Sequence, residues 1–220
     1  MPVDLRLYAI VDPEHAGGRA LPELAKLLAA GGATLVQLRD KRSDTRVMVE
    51  TARAVKAALK PFRVPLLVND RVDVALAAQA DGVHVGQTDM AVEDARRLLG
   101  RNAIIGLSIK SVALAEAAPI DLIDYVGIGG VYATTSKDNP NPPIGVEGLR
   151  RIVDVFRRRY PNFPTCAIAG INAANAGATI AAGADGVSVI SALSLAPDPT
   201  AAANAMRAVV DDALAARKRP

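Results

Sequence analysis

Four short stretches carry most of the reactive side chains: Gln37-Leu38-Arg39-Asp40-Lys41, Asn69-Asp70, Gly86-Gln87-Thr88-Asp89 and Thr134-Thr135-Ser136-Lys137, each placed just after an apolar run. Arg39, Lys41 and Lys137 supply cations suited to phosphate, while Asp70 and Asp89 offer hard oxygen ligands of the kind magnesium takes. A zinc centre is excluded by type, since His15 and His84 are the only histidines and Cys166 the only thiol. Three cations around one cavity are costly unless an anion of several charges binds there, and a diphosphate is the simplest such anion.

Whether these residues meet depends on the elements that carry them. Short β-branched runs alternate with longer Ala/Leu/Arg-rich segments of helical period, the pattern of repeated βα units. Strands are expected at Arg6 to Val11, Thr34 to Leu38, Pro65 to Asn69, Gly82 to Val85, Ala103 to Leu107, Tyr125 to Ile128, Thr165 to Ala169 and Gly186 to Ile190, with a last helix from Pro199 to Ala216. Ala80-Asp81-Gly82-Val83-His84-Val85 recurs as Ala184-Asp185-Gly186-Val187-Ser188-Val189, and related openings stand at Gly32-Ala33-Thr34 and Ile123-Asp124-Tyr125. Similarity confined to the even strands suits a closed eightfold barrel, whose alternate strands fill common layers. The expected fold is therefore α/β, a (β/α)8 TIM barrel in a single domain over residues 1–220; an open doubly wound sheet is the weaker alternative.

In a barrel the loops after the strands share one rim, so the four stretches become one site. Asp70 and Asp89 would follow neighbouring strands and could share a magnesium ion, or could each cap the helix that follows. Arg39 and Lys41 would face an anion, or form ion pairs with Asp40 or Asp44. The stretch from Gly129 to Gly145 is the longest without period; its hydroxyls and Lys137 suit a lid that excludes water, and a solvated linker is the plainer reading. Ala169-Gly170-Ile171-Asn172 and Val189-Ile190-Ser191 end the last two strands, where barrels bind a monophosphate, although Gly170 would also serve a tight turn.

Bulk properties narrow the class. A content of 50% hydrophobic residues with 3% aromatics suits helices packed on buried parallel strands. The net charge of +3 comes from dispersed basic residues without interleaved aromatics, which argues against nucleic acid as a partner. No stretch is apolar for long enough to span a bilayer, no secretory signal is expected, and the one cysteine gives no disulfide framework; a soluble cytoplasmic protein is the simplest expectation, and a homo-oligomer is compatible with these features.

The ordered set Tyr8-Ala9-Ile10-Val11-Asp12, Gln37-Leu38-Arg39-Asp40-Lys41, Val68-Asn69-Asp70, Gly82-Val83-His84-Val85-Gly86-Gln87 with Asp89, Ala169-Gly170-Ile171-Asn172 and Val187-Ser188-Val189-Ile190-Ser191 resembles the thiamine-phosphate synthase (thiamine-phosphate pyrophosphorylase) family over almost the whole chain. The resemblance implies a Mg²⁺-dependent barrel that joins a hydroxymethylpyrimidine diphosphate to a thiazole phosphate, two phosphorylated small-molecule substrates, with release of pyrophosphate by a dissociative substitution. It also implies roles: Gln37, Arg39, Lys41, Asn69, Ser108 and Lys137 for the pyrimidine diphosphate, Asp70 and Asp89 for the metal, and Thr134, Ser136, Gly170, Ile190 and Ser191 for the thiazole phosphate. Arg39, Lys41 and Lys137 would be the catalytic cations, and His84 would more simply make a local hydrogen bond than move a proton. The family usually shows Pro and Thr where this chain has Ala133 and Ser136, a change that keeps the donors and bears on loop geometry. A thiazole tautomerase of the same barrel superfamily is the alternative, and it would need no diphosphate apparatus.

Overall fold

The computed structural model describes residues 3–136 and 142–217. Eight strands run as β1 (Leu7–Val11), β2 (Leu35–Leu38), β3 (Leu66–Asn69), β4 (Gly82–Val85), β5 (Ile104–Ile109), β6 (Tyr125–Ile128), β7 (Thr165–Ile168) and β8 (Gly186–Val189). They pair in chain order, every pair parallel, and β8 returns to β1 to close the barrel. The open-sheet alternative is thereby excluded. Among the described residues the helices are α1 (Leu21–Ala30), α2 (Thr45–Leu59), α3 (Val72–Ala78), α4 (Val92–Leu99), α5 (Val112–Ala117), α6 (Gly145–Arg159), α7 (Ala173–Ala181), α8 (Ser191–Ser194) and α9 (Pro199–Arg217).

Alternation along each strand divides the apolar side chains into two cores. Leu7, Ala9 and Val11, with Val36, Leu38, Val83, Val85 and Ile105, face the helices, whereas Tyr8, Leu35, Leu67, Tyr125 and Cys166 plug the barrel interior. Burial on both faces is why the strands read as continuous hydrophobic runs. Full burial of each Leu or Val contributes about 1.5–3 kcal/mol.

The repeat before the even strands has a physical cause. Thr34 Oγ1 accepts the Leu7 N–H at 3.1 Å, Asp81 accepts that of Leu66 at 2.8 Å, Asp124 that of Ile105 at 2.8 Å and Asp185 that of Thr165 at 3.0 Å. Each even strand thus clasps the start of the odd strand before it. The following glycines are required by contact: a Cβ at Gly82 would lie 1.8 Å from the Ile104 carbonyl oxygen, and one at Gly186 would lie 1.6 Å from that of Leu5.

Observed and expected strand limits agree to within one residue except at the end of β5. β5 extends to Ile109, so Ser108 lies within a strand paired with Gly127 and does not follow its end. The four-residue α8 lies in an apolar run too short to show a helical period. Gly31 and Gly100 end α1 and α4, and Asn172 opens α7 in a reciprocal capping box with Asn175.

Candidate active site

Above the apolar plug the barrel interior turns polar. Tyr8, Gln37, Arg39, Asn69, His84, Ser108, Cys166 and Ser188 line a narrow cavity of about 60 Å³ with Ile10, Gly127, Ile168 and Ile190. Its floor is a continuous hydrogen-bonded chain. The amide nitrogen of Gln37, a residue only 2% exposed, bonds Tyr8 Oη; Tyr8 Oη and Tyr125 Oη are 2.9 Å apart; Tyr125 Oη is 2.8 Å from His84 Nδ1; and His84 Nε2 is 2.8 Å from Ser108 Oγ. Burial pushes both phenols well above their ordinary value, so they stay protonated. His84 therefore does form the local hydrogen bonds expected of it. Gly127 is matched to it, because a Cβ there would stand 2.9 Å from the imidazole Cε1.

A second, more open cavity of about 510 Å³ adjoins the first at the ends of β7 and β8. Thr134, Ser136, Gly170, Ile190 and Ser191, the five residues expected together there, all line it. Ser136 Oγ donates to Ser191 Oγ at 3.0 Å, and the Ser136 N–H donates to Thr134 Oγ1 at 3.1 Å, which draws the 134–136 segment across to β8. Gly170 has φ +65°, and a Cβ on it would come within 2.3 Å of the Ala133 carbonyl oxygen. Both the backbone turn and the close approach of that segment therefore require glycine. Ile168, Ser188 and Ile190 belong to the walls of both cavities.

At the rim beyond β3 and β4, Asp70 and Asp89 bring their carboxyl groups within hydrogen-bonding contact, and Lys41 is ion-paired to Asp70. Burial raises the Asp70 carboxyl above its ordinary value; the neighbouring Asp89 adds to this and Lys41 opposes it. Asp89 is held in place by the Gly86 N–H, 2.7 Å from its Oδ2. Crowded carboxylates of this kind fit a hard cation, which would remove their repulsion, and no group of three or more His, Cys, Asp or Glu is poised for a metal among the described residues.

Several expected partners are corrected by this geometry. Neither aspartate caps a helix: Arg71 and Ala91 occupy the cap positions, and Asp70 stands in the left-handed region at φ +59°. Arg39 and Lys41 pair with neither Asp40 nor Asp44. Arg39 is joined to Asp12, which is 1% exposed at the end of β1, and Lys41 is joined to Asp70. Asp40 instead accepts the N–H groups of Arg42 and Ser43, each at 3.0 Å; burial alone would raise its carboxyl, but those two bonds hold it below the ordinary value. Lys41, 47% exposed, stands at the rim outside the narrow cavity that Arg39 helps to line. Lys137 lies outside the described residues.

Reasoning from the sequence had missed Asp12 as the partner of Arg39, although the pairing of β1 with β2 brings positions 12 and 39 to adjacent strand ends. It had also missed Tyr8, Tyr125 and Ser188, whose inward direction follows from strand alternation once the register is known. Gln87 donates to the Ser108 carbonyl at 2.7 Å and ties the loop after β4 to β5.

The fold and the gathering of these residues at the C-terminal mouth define a (β/α)8-barrel enzyme. A family model described as thiamine monophosphate synthase matches residues 7–193, and the chain belongs to that family. It is 50% identical over 216 residues to the thiamine-phosphate synthase of Agrobacterium fabrum, covering 98% of each chain. Identity to the thiamine-phosphate synthase of Chloroflexus aurantiacus is 47% over 208 residues, covering 94% of each. Among solved structures, thiamine phosphate pyrophosphorylase from Pyrococcus furiosus superposes with a TM-score of 0.84 at 36% identity, covering 96% of this chain and 98% of that one.

Proposed function

We propose that this chain is a thiamine-phosphate synthase that joins 4-amino-2-methyl-5-(diphosphooxymethyl)pyrimidine to 4-methyl-5-(2-phosphooxyethyl)thiazole, or its carboxylated form, giving thiamine phosphate and diphosphate. One observation carries the reading: the narrow cavity and the open one share the wall formed by Ile168, Ser188 and Ile190, so that two ligands occupying them meet edge to edge. A pyrimidine fits the narrow polar cavity, with its diphosphate toward Arg39 and Lys41. A thiazole phosphate fits the serine- and threonine-lined groove. The tautomerase alternative gains no support, since the relatives compared carry the synthase name and a single-substrate isomerase needs no second cavity.

The family resemblance implies the chemistry. The bond between the pyrimidine methylene carbon and the diphosphate oxygen breaks, the electron pair leaves with the diphosphate, and the thiazole nitrogen lone pair captures the resulting cation to form the new C–N bond. Arg39, Lys41 and Lys137 stabilise the charge that develops on the leaving group, and no protein nucleophile takes part. Asp12 keeps the Arg39 guanidinium in place for this task. Asp70 and Asp89 would hold magnesium, a hard cation suited to paired carboxylates. When bound, that ion supplies further positive charge to the departing diphosphate. Lys41 serves as the counterion of Asp70 until then.

No described helix is long and apolar enough to cross a membrane, and a cytoplasmic location suits this reading. The test is a coupled assay with both substrates. Purified protein with magnesium should release one pyrophosphate for each thiamine phosphate formed, and excess chelator should stop it. Absence of turnover would reject the function, and equal rates with chelator would reject the metal.

A further inference from the structure

The chain of bonds beneath the narrow cavity has a direction. Gln37 presents its amide nitrogen, a donor, to Tyr8 Oη. With that donor in place, the Tyr8 proton has Tyr125 Oη as its acceptor at 2.9 Å, and the Tyr125 proton in turn has His84 Nδ1 at 2.8 Å. Any other assignment leaves a buried phenolic proton without an acceptor, which costs more than the bond itself contributes. An Nδ1 that accepts puts the imidazole proton on Nε2, from which it goes to Ser108 Oγ at 2.8 Å. The Ser108 hydroxyl, already accepting, then has its own proton to give.

We propose that Tyr8, Tyr125 and His84 are positioning residues, forming a one-way relay that turns the Gln37 carbonyl and the Ser108 hydroxyl proton toward the cavity as one acceptor and one donor. A 4-aminopyrimidine is the complement of that pair: its exocyclic amine donates and its ring nitrogens accept. The identity of this ligand rests on the function proposed above; the direction of the relay does not. The relay explains why two phenols within the otherwise apolar plug are joined to an imidazole on the cavity wall. It also makes the two ends interdependent, because reversing Gln37 would reverse every bond down to Ser108. A pyrimidine lacking the amine would leave the Gln37 carbonyl unpaired, and a ring with donor and acceptor exchanged would meet the wrong group at both ends.

Only two histidines are present, so ¹⁵N-histidine labelling reads the relay directly in the ligand-free protein. His15→Gln assigns the resonances. At mildly alkaline pH, His84 should show a protonated Nε2 and a bare Nδ1. Tyr125→Phe removes the donor to Nδ1 and should produce a mixture of the two tautomers. Tyr8→Phe should leave the tautomer intact while freeing Gln37. Tyr8→Phe and Tyr125→Phe should each weaken binding of the pyrimidine diphosphate, titrated calorimetrically with magnesium, by about 3- to 10-fold, the range for one uncharged hydrogen bond. Binding of the thiazole phosphate should not change. A wild-type His84 protonated on Nδ1 would overturn the direction, and this reading needs no variant to fold. Folded Tyr125→Phe protein with an unaltered imidazole spectrum and unaltered affinity would reduce the chain to packing and overturn the proposal. Wild-type protein that gives the expected tautomer but binds no pyrimidine diphosphate would sink the ligand assignment, and with it the function.

Discussion

Two sets of aspartates, one at each end of this barrel, are held in opposite ways. At the N-terminal end every clasp aspartate is neutralised by fixed partners. Asp185 accepts the backbone and side chain of Thr165 and is paired with both Arg157 and Arg217; Asp124 accepts the Ile105 N–H and pairs with Arg96; Asp81 accepts the Leu66 N–H and pairs with Lys56. At the C-terminal end Asp70 and Asp89 crowd one another, with Lys41 as the paired cation. The first arrangement fastens strands together. The second stores unfavourable charge that a bound cation relieves, and residues held this way are poor candidates for a structural role.

The largest effects should separate the two ends. Asp70→Asn keeps the shape and suits the left-handed backbone at position 70, so the fold should be retained while kcat falls on the order of 100- to 1000-fold, as for loss of a preorganised electrostatic group. Activity within about threefold of the wild type would remove Asp70 from the site. At the other end Asp185→Ala strips four bonds from one carboxylate and leaves two arginines unmatched, which should cost about 3 kcal/mol in urea unfolding. Its KM for either substrate should stay at the wild-type value. A variant that loses activity while keeping its stability would erase the contrast between the ends.

A smaller effect sharpens it through pH. The folded-state carboxyl of Asp70 is raised above its ordinary value of 3.8, so its contribution to stability is complete when it is protonated and is lost as pH rises through the folded value. At neutral pH the charged group is therefore a net cost. With chelator present, Asp70→Asn should melt at or above the wild-type temperature near pH 7, and this advantage should shrink toward acid pH. An advantage that grew in acid would mean that the carboxylate is favoured by folding and that the crowding has been misjudged.

How much of this was legible in the sequence depends on whether neighbours in the chain or neighbours in space set the pattern. The barrel was legible because the clasps and their glycines recur at fixed places before the even strands, and the contacts at Gly82 and Gly186 leave no other residue room. The rim residues were legible as groups because each follows its own strand. Their pairing was not: the acidic neighbours that the chain offers Arg39 are Asp40 and Asp44, the alternative to a bound anion, whereas its partner Asp12 comes from the adjacent strand. The relay was hidden for the same reason, since Tyr8 and Tyr125 are 117 positions apart and meet only across the closed barrel.

The internal repeat supplies the finest test, because it puts His84 and Ser188 at equivalent places in β4 and β8. His84 is bonded through both ring nitrogens, whereas Ser188 is 4% exposed and its Oγ has no hydrogen-bond partner among the described residues. Truncating the first leaves the Tyr125 proton without its acceptor, so His84→Ala should lower stability by about 2 kcal/mol. Truncating the second removes a hydroxyl that is desolvated without compensation. Ser188→Ala should therefore leave the ligand-free protein as stable as the wild type or more stable, by a few tenths of a kcal/mol. Opposite signs at twin positions would show that the repeat fixes where a side chain points and leaves its chemistry to its surroundings. A loss above about 1 kcal/mol for Ser188→Ala, measured by denaturant unfolding, would mean that this hydroxyl is satisfied in solution and that the two positions are alike after all.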